Sequence, residues 1–458
     1  MGDEASAGRT LHFEQALLPG GWAADVRIAV AGGLVSDIAS GETPHPSDER
    51  HAIGLPGMAN VHSHAFQRGM AGMAESRGAT GDSFWTWRET MYRFVDRIEG
   101  EQLQAIAALA YAEMLETGFT RVGEFHYLHH DPAGSAYPDP AHMSQVIVEA
   151  AAESGIGLTL LPVFYAHSGF GGQAPDAAQR RFVQDLDGFA RLLEGARSAA
   201  GRLSDAVVGI APHSLRAVTL EHLHDLVAMA GTAPIHIHIA EQAREVEDCL
   251  AWSGARPVEW LLDHLPVGPQ WCLVHATHMT QAEAARLAAT GAVAGLCAIT
   301  EANLGDGLFP APAYRAAGGR FGIGSDSNVL IDMSEELRWL EYGQRLAGEA
   351  RNVLATGAGR STGQDLFEAA AAGGAQALGV ESGLAVGRPA DIVSLDARHP
   401  SLAGKPARAV LDGFLFAAGR SAIDCVWRRG EKLVTGGRHR DRDRLAERYR
   451  RALAALTA

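Results

Sequence analysis

Two histidines one residue apart, His62 and His64, end a short apolar stretch that begins at residue 56. Residues i and i+2 of a β-strand share a face, so both imidazoles can point toward one ion. A pair of solvated loop histidines is the alternative, and this pair alone does not decide between the two. The rest of the chain favours a metal site, because further ionisable side chains recur where later strand-like stretches end. They are His213, His238, Glu241, His275 and Asp326.

The types of these residues suit a divalent metal ion. Three imidazoles and one carboxylate supply the nitrogen and oxygen ligands that suit Zn²⁺ or Fe²⁺. His238 lies nearer the C-terminal end of its strand-like stretch than His236 does, so we predict that His238 is the ligand and His236 a hydrogen-bonded core histidine. An alternative role for Glu241 is that of an ordinary carboxylate at the start of the following helix. The neighbouring histidines and Asp326 are the reason to assign it a chemical role.

Regularly spaced elements must bring these side chains together. Strand-like stretches alternate with helical ones such as 101–116, 281–289 and 335–346. After the first strand-like stretch, the others span 121–126, 157–164, 207–213, 235–241, 271–275, 293–297 and 321–326. Eight such units predict an α/β fold, a (β/α)₈ TIM-like barrel, whose active site lies at the C-terminal ends of the strands. A doubly wound sheet is the alternative, but it would not gather the histidines into a ring.

Short alternating segments at both ends of the chain predict a second, smaller domain. Near the start they span 25–30 and 34–38, and near the end 390–396, 413–416, 423–427 and 429–434. We therefore predict a small β-sandwich domain from residues 1–56 and 381–438, with the barrel at 57–380. A charge-rich amphipathic stretch predicts an outer helix at 439–458.

Composition limits the partners. A net charge of −15 argues against nucleic acid or an anionic membrane as the partner. No apolar stretch approaches the roughly 20 residues that span a bilayer, and the first residues lack the pattern of a signal peptide, so we expect a cytoplasmic protein. The four cysteines are scattered and are interpreted as small buried hydrophobic residues.

The order of the motifs resembles the amidohydrolase superfamily, in its mononuclear deaminase branch. The matching features are His62-x-His64, His238 with Glu241 three residues later, then His275, and then Asp326. Members with two metals commonly bridge them with a carboxylated lysine on the fourth strand. The only lysines of this chain are Lys405 and Lys432, outside the predicted barrel, which excludes such a bridge.

Four further stretches, 60–68, 84–88, 123–127 and 300–307, resemble the members that hydrolyse N-formimino-L-glutamate to N-formyl-L-glutamate and ammonia in histidine degradation. The resemblance implies one Zn²⁺ per chain, with Fe²⁺ as the alternative, and a homodimer. The implied metal ligands are His62, His64, His238 and Asp326. Asp326 would also accept a proton from water, Glu241 would carry protons to the leaving nitrogen, and His275 would orient the hydroxide.

Specificity must come from positive groups, because a substrate with two carboxylates would enter an acidic protein. Arginine matches carboxylate geometry with two parallel hydrogen bonds, and Arg88 and Arg216 fall on loops at the predicted active-site face. The resemblance adds Gln67, Tyr127 and His213 around the glutamate part of the substrate. Three alternatives stay open: a purine or pterin deaminase, an imidazolonepropionase-like ring hydrolase, and a catalytically silent barrel that binds a partner.

Overall fold

The computed structural model describes residues 9–77 and 84–457. The first eight residues of the predicted β domain and the last residue of the predicted C-terminal helix lie outside these ranges. The strands, in chain order, are β1 Arg9–Leu18, β2 Gly21–Ala31, β3 Leu34–Ala39, β4 Glu49–Pro56, β5 Met58–Ser63, β6 Phe119–His126, β7 Gly157–Phe164, β8 Val207–Val208, β9 Ala211–Pro212, β10 Ile235–Ile239, β11 Trp271–His275, β12 Val293–Leu296, β13 Arg320–Ile323, β14 Ile392–Leu395, β15 Ile423–Arg428, β16 Glu431–Thr435 and β17 Arg438–His439.

Helices lie between and around these strands, in the order that the predicted alternation requires. They are α1 Phe84–Val95, α2 Gly100–Glu116, α3 His142–Ser154, α4 Leu186–Ala200, α5 Leu220–Ala230, α6 Ala243–Ser253, α7 Pro257–His264, α8 Gln281–Thr290, α9 Ala298–Leu304, α10 Ala311–Ala316, α11 Met333–Gly348, α12 Thr362–Ala377, α13 Val410–Gly413 and α14 Arg442–Thr457. Within the described ranges, no helix is both long and apolar enough to cross a membrane.

The strands β5 to β13 form the barrel. They pair in parallel, and β13 pairs with β5 through Ile323 and Asn60. The fourth strand is split into β8 and β9, and the ring closes against β10 through the bridges Ile210–Ile235 and Ser214–His238. The predicted (β/α)₈ barrel is therefore confirmed, and its strands β7 and β11 coincide with the predicted ranges. Closure also excludes the doubly wound alternative, because an open sheet has two unpaired edges.

Helix α12 packs unusually close to the barrel wall. Gly373 lies so near β13 that a Cβ atom there would be 2.0 Å from the carbonyl oxygen of Phe321. Its neighbour Gly374 approaches the Ala59 carbonyl of β5. The pair of glycines lets the last barrel helix cover the seam where the first and last strands meet.

The small domain is one sheet of eight strands in the order β17-β16-β15-β14-β4-β1-β2-β3. The pair β1 and β4 is parallel, and the other pairs are antiparallel. The sheet curls until β3 meets the segment before β14, where Val35 N donates to Arg388 O and Gly387 N donates to Val35 O. It encloses its own core, which includes Phe13 and Trp427. The predicted β domain built from both ends of the chain is confirmed, whereas the exact domain boundaries stay predictions.

One predicted strand, 413–416, is wrong. Residues 410–413 form α13, and Phe414–Ala418 continue as a π-helical turn. Phe414 and Leu415 are both fully buried, so this apolar stretch does not alternate between a buried and an exposed face as a half-buried strand would. The turn packs on α11, where Arg338 Nε donates to Leu415 O at 2.7 Å.

The predicted outer helix is present as α14, and the cysteines behave as predicted. Helix α14 packs on α2, where Arg442 forms ion pairs with Glu113 and Glu116. Its Tyr449 hydroxyl donates to Arg68 O, in the turn that follows β5. All four cysteines are buried and free.

The substitution Gly373→Ala should lower the free energy of unfolding by about 3 kcal/mol, because the added methyl group meets backbone rather than a movable side chain. Urea denaturation of both proteins measures this loss. Gly348→Ala is the control, since Gly348 ends α11 with open space around it and should unfold close to the parent midpoint. Equal midpoints for the two variants would contradict the close packing of α12.

Candidate metal centre and active site

Three imidazoles and one carboxylate converge at the C-terminal ends of the barrel strands. His62 Nε2 lies 3.2 Å from His64 Nε2 and 3.0 Å from His238 Nε2. Asp326 Oδ1 lies 3.4 Å from the Nε2 atoms of both His62 and His64. Ligands bound tetrahedrally at zinc–nitrogen distances of 2.0–2.1 Å are about 3.4 Å apart, so these separations fit a single ion.

Hydrogen bonds on the far side of two rings decide which nitrogen faces the centre. His64 Nδ1 donates to Phe125 O at 3.0 Å, and His238 Nδ1 donates to His213 O at 3.1 Å. Because a carbonyl oxygen only accepts, both Nε2 atoms carry lone pairs when the rings are neutral, and burial lowers the pKa of both. A proton on His62 Nε2 could form a hydrogen bond with only one of these two nitrogen atoms. The donor set therefore fits a cation, and backbone carbonyls orient the ligands as in many zinc sites.

Asp326 and His275 occupy strained backbone conformations beside this centre. Their φ angles are +45° and +67°, in the left-handed region that costs an L-residue about 1–2 kcal/mol. Burial acts to raise the pKa of Asp326, but the imidazoles of His62 and His275 outweigh it and the pKa is lowered. Asp326 is therefore a carboxylate, as a metal ligand must be.

Glu241 and His275 form a buried acid–base pair next to the ligands. His275 Nε2 lies 3.7 Å from Glu241 Oε1 and 3.8 Å from Asp326 Oδ2. Burial raises the pKa of Glu241 to about 7, which suits a group that gains and loses protons at neutral pH. Burial works against protonated His275, but the carboxylates of Glu241, Glu301 and Asp326 raise its pKa to about 10.

Glu301 is a part of the site that the sequence analysis quoted within a motif without assigning it a role. Its Oε1 atom lies 3.3 Å from His275 Nδ1 and accepts from Cys297 N at 3.0 Å. The side chain is buried at the first turn of α9. It fixes the orientation of the His275 ring and leaves Nε2 facing Glu241 and Asp326.

A pocket opens beside the metal ligands and contains every substrate-binding residue predicted from the sequence. Its wall includes Gln67, Trp87, Arg88, Met91, Tyr92, Tyr127, Tyr165, Phe182, His213, Arg216, Thr300 and Leu304. Gln67 Nε2 donates to the Tyr127 hydroxyl at 2.9 Å. Arg88 lies in helix α1 rather than on a loop, which corrects the prediction, and its guanidinium lies 5.6 Å from the centre of the Tyr92 ring. Two cationic side chains in a wall with several aromatic residues can hold an anionic ligand.

The comparison with known proteins agrees with this geometry. Residues 53–433 match the amidohydrolase family, and residues 9–52 match the N-terminal domain of formimidoylglutamate deiminase HutF.

The chain belongs to the amidohydrolase family.

Two similar members of this family cover the chain almost completely. A formimidoylglutamate deiminase of Pseudomonas aeruginosa is 50% identical over 449 residues, which are 97% of this chain and 98% of that one. The crystal structure of an amidohydrolase from Brucella melitensis is 55% identical, with a TM-score of 0.96 over 98% of this chain and 100% of that chain. The resemblance to formimidoylglutamate deiminases that the motifs predicted is confirmed.

More distant relatives share the amidohydrolase fold alone. An adenosine deaminase from Xanthomonas campestris, solved with bound zinc, is 22% identical with a TM-score of 0.80 over 98% of each chain. The structure brings all predicted site residues of this amidohydrolase to one end of the barrel, and their individual roles stay predictions. His236 lies one layer deeper, as predicted, with Nε2 2.8 Å from Ala377 O.

A polar network holds the two strand ends that carry His62, His64 and Asp326. Asn60 on β5 accepts from Ser325 N and donates to Ser325 Oγ at 2.7 Å. Ser325 Oγ donates to Asn328 Oδ1 at 2.6 Å. The Asn328 amide nitrogen in turn contacts three acceptors: Ser63 Oγ, His64 O and Asp326 O. This network could not be predicted from the sequence, because nothing in the separate motifs shows that two asparagines 268 positions apart share a serine.

Asn328→Ala should lower the free energy of unfolding by about 2–3 kcal/mol, because it leaves buried acceptors without a donor. Asn328 also has a φ of +55°, which alanine adopts less readily than asparagine. Thermal denaturation of the metal-free protein measures the effect without a contribution from the ion. The control is Asn303→Ala, at an exposed position. If both variants melt at the parent temperature, the network does not stabilise the strand ends.

Proposed function

We propose that this amidohydrolase converts N-formimino-L-glutamate and water to N-formyl-L-glutamate and ammonia with one zinc ion per chain. The observation that carries the proposal is the pair of arginines in a pocket that adjoins His62, His64, His238 and Asp326. The formimidoylglutamate deiminase of Pseudomonas aeruginosa, which shares half of its residues, supports the substrate. That the enzyme is a cytoplasmic homodimer stays a prediction.

The four ligands would hold Zn²⁺, with Fe²⁺ as the alternative, and such an ion would supply a water molecule whose pKa is lowered to about 7. Asp326 accepts the proton that the water loses. Glu241, which lies near both Asp326 and His275, carries protons to the nitrogen that leaves as ammonia. The oxygen of water forms a bond to the formimino carbon, the bond from that carbon to the leaving nitrogen breaks, and both hydrogens of the water end on that nitrogen, so the atoms balance.

His275 acts on the oxygen rather than on the nitrogen. Glu301 holds Nδ1, so the Nε2–H group can donate to the oxygen that adds to the formimino carbon. A donor that is fixed before reaction stabilises the charge of the tetrahedral adduct without reorganisation.

The glutamate part of the substrate lies in the pocket wall. Arg88 and Arg216 bind its carboxylates, because guanidinium groups form two-bond pairs with carboxylates and the net charge of the protein would otherwise repel the ligand. Gln67, Tyr127 and His213 contact the remainder. In the proposed mechanism these residues set the distance between the formimino carbon and the metal site.

The test incubates the purified protein with N-formimino-L-glutamate, guanine and imidazolonepropionate in parallel, and measures ammonia release for the first two and ring opening for the third. We expect release from N-formimino-L-glutamate, with guanine and imidazolonepropionate near the background. Guanine supplies ammonia only to a ring deaminase, whereas imidazolonepropionate opens its ring without releasing ammonia and is followed by its absorbance. Turnover of either ring compound, with none of N-formimino-L-glutamate, would overturn the proposed substrate.

Elemental analysis should find about one equivalent of divalent metal per chain after dialysis, because His64, His238 and Asp326 each place a ligand atom within 3.4 Å of His62 Nε2 and the barrel has no bridging lysine. His238→Ala should lose the metal and the activity. His236→Ala, on the same strand, is the control and should keep the metal although it loses a buried hydrogen bond. Two equivalents in the parent, or a metal-loaded His238→Ala protein, would contradict the assignment.

Glu241→Gln should keep the metal and lose about 10²–10⁴-fold in kcat, because the amide preserves the shape of the side chain but cannot carry a proton. Metal analysis and steady-state kinetics on the same preparation separate the two effects. The exposed Glu247→Gln is the control and should match the parent. A metal-free Glu241→Gln protein would make this residue a ligand, and an unchanged kcat would remove its catalytic role.

A further inference from the structure

A tyrosine outside the predicted set stands at the end of a barrel strand and lines the pocket. Tyr165 directly follows β7, at the same face of the barrel as the metal ligands. It is 7% exposed, and its ring centre lies 4.7 Å from that of His213. Its position matches that of the residues already assigned to the site, whereas the sequence gives no motif around it.

The hydroxyl of Tyr165 has a defined hydrogen-bond polarity. Gln179 Nε2 donates to this oxygen at 2.7 Å. The orientation of the Gln179 amide is fixed, because its Oε1 atom accepts from Asp176 N at 2.9 Å and therefore must be the oxygen. Gln179 is a donor to Tyr165, so the phenolic hydrogen of Tyr165 is left to donate elsewhere.

The segment that carries Gln179 is itself well anchored. Residues 176–179 form a capping box in which the Asp176 side chain accepts from Ala178 N at 2.8 Å. Gln184 N donates to Tyr165 O, which joins the chain before and after the 166–183 stretch that contains this capping box. Gln179 is almost fully buried, so the pair is built into the wall of the pocket.

The surroundings favour an anion as the partner of this hydroxyl. Tyr165 shares the pocket with Arg88 and Arg216. Burial, followed by the neighbouring phenol of Tyr92, raises the pKa of Tyr165, so the hydroxyl stays protonated and remains a donor at neutral pH. Hydrogen bonds from neutral donors to carboxylates are stronger than those between neutral groups.

We propose that Tyr165, oriented by Gln179, donates a hydrogen bond to one of the two substrate carboxylates and so acts as a third specificity residue beside the two arginines. This inference rests on the proposed function and adds to it. Tyr165 contacts the substrate, whereas Gln179 is a positioning residue that acts through Tyr165.

The test begins with Tyr165→Phe on N-formimino-L-glutamate. We expect kcat/KM to fall about 10–100-fold, mostly through a higher KM, because the lost bond is present in the ground state and the transition state alike. The control is Tyr314→Phe, whose hydroxyl donates to Arg320 O away from the pocket and whose kcat/KM should stay within about twofold of the parent. An unchanged kcat/KM for Tyr165→Phe overturns the inference.

Two analogues identify the carboxylate. N-formimino-4-aminobutyrate lacks the α-carboxylate, and N-formimino-2-aminobutyrate lacks the γ-carboxylate. The effect of Tyr165→Phe should vanish for one analogue and persist for the other, and where turnover is too slow, inhibition constants give the same comparison. An equal loss for both analogues and for the diacid would show that Tyr165 binds no carboxylate.

Gln179→Leu separates positioning from packing. In the parent protein, Gln179→Leu should raise KM, as Tyr165→Phe does. In the Tyr165→Phe background, Gln179→Leu should have no further effect on KM. Additive effects overturn the positioning role. If the parent protein does not release ammonia from N-formimino-L-glutamate, the proposed function fails, whereas an active parent with an unaffected Tyr165→Phe variant refutes only the present inference.

Discussion

The convergence of several lone pairs on one buried point is the constraint on which the rest of the structure depends. Imidazole nitrogens 3.0–3.2 Å apart that cannot all share protons are unfavourable away from water unless a cation neutralises them. Hydrogen bonds from the surrounding barrel hold them there. The carbonyl oxygens of Phe125 and His213 turn two rings inward, and Asn328 ties the end of β5 to Asp326.

Closure of the barrel also supports backbone strain at its active end. Ala240, His275 and Asp326 all have positive φ values at the ends of different strands. Backbone hydrogen bonds between neighbouring strand ends lie at or next to these residues. Ala276 N donates to Ile239 O, Asp326 N to His62 O, and His64 N to Asp326 O. An open sheet would leave one of these edges without a partner, so the closed ring of strands supports the strained residues at its end.

Much of this arrangement could be predicted from the sequence, because strand ends leave a local signature. An apolar stretch that finishes in His, Glu or Asp identified every proposed ligand, and the ranges of β7 and β11 were predicted to the residue. Residues 413–416 misled the prediction, since four apolar or small residues fit a strand and a buried helical turn equally well. Glu301 and Tyr165 had no assigned role because their orientation depends on partners, Cys297 N and Gln179, that only the folded chain brings near.

The way in which the small domain is assembled has a consequence for synthesis on the ribosome. Strands β1 to β4 emerge first, but the antiparallel partner of β4 is β14, which is translated only after the whole barrel. Until then the nascent sheet has an open edge along β4 beside a growing parallel barrel, and open edges invite pairing with other chains. The small domain can therefore close only after the whole barrel has been synthesised. A ribosome that stalls within the barrel sequence leaves the β4 edge exposed.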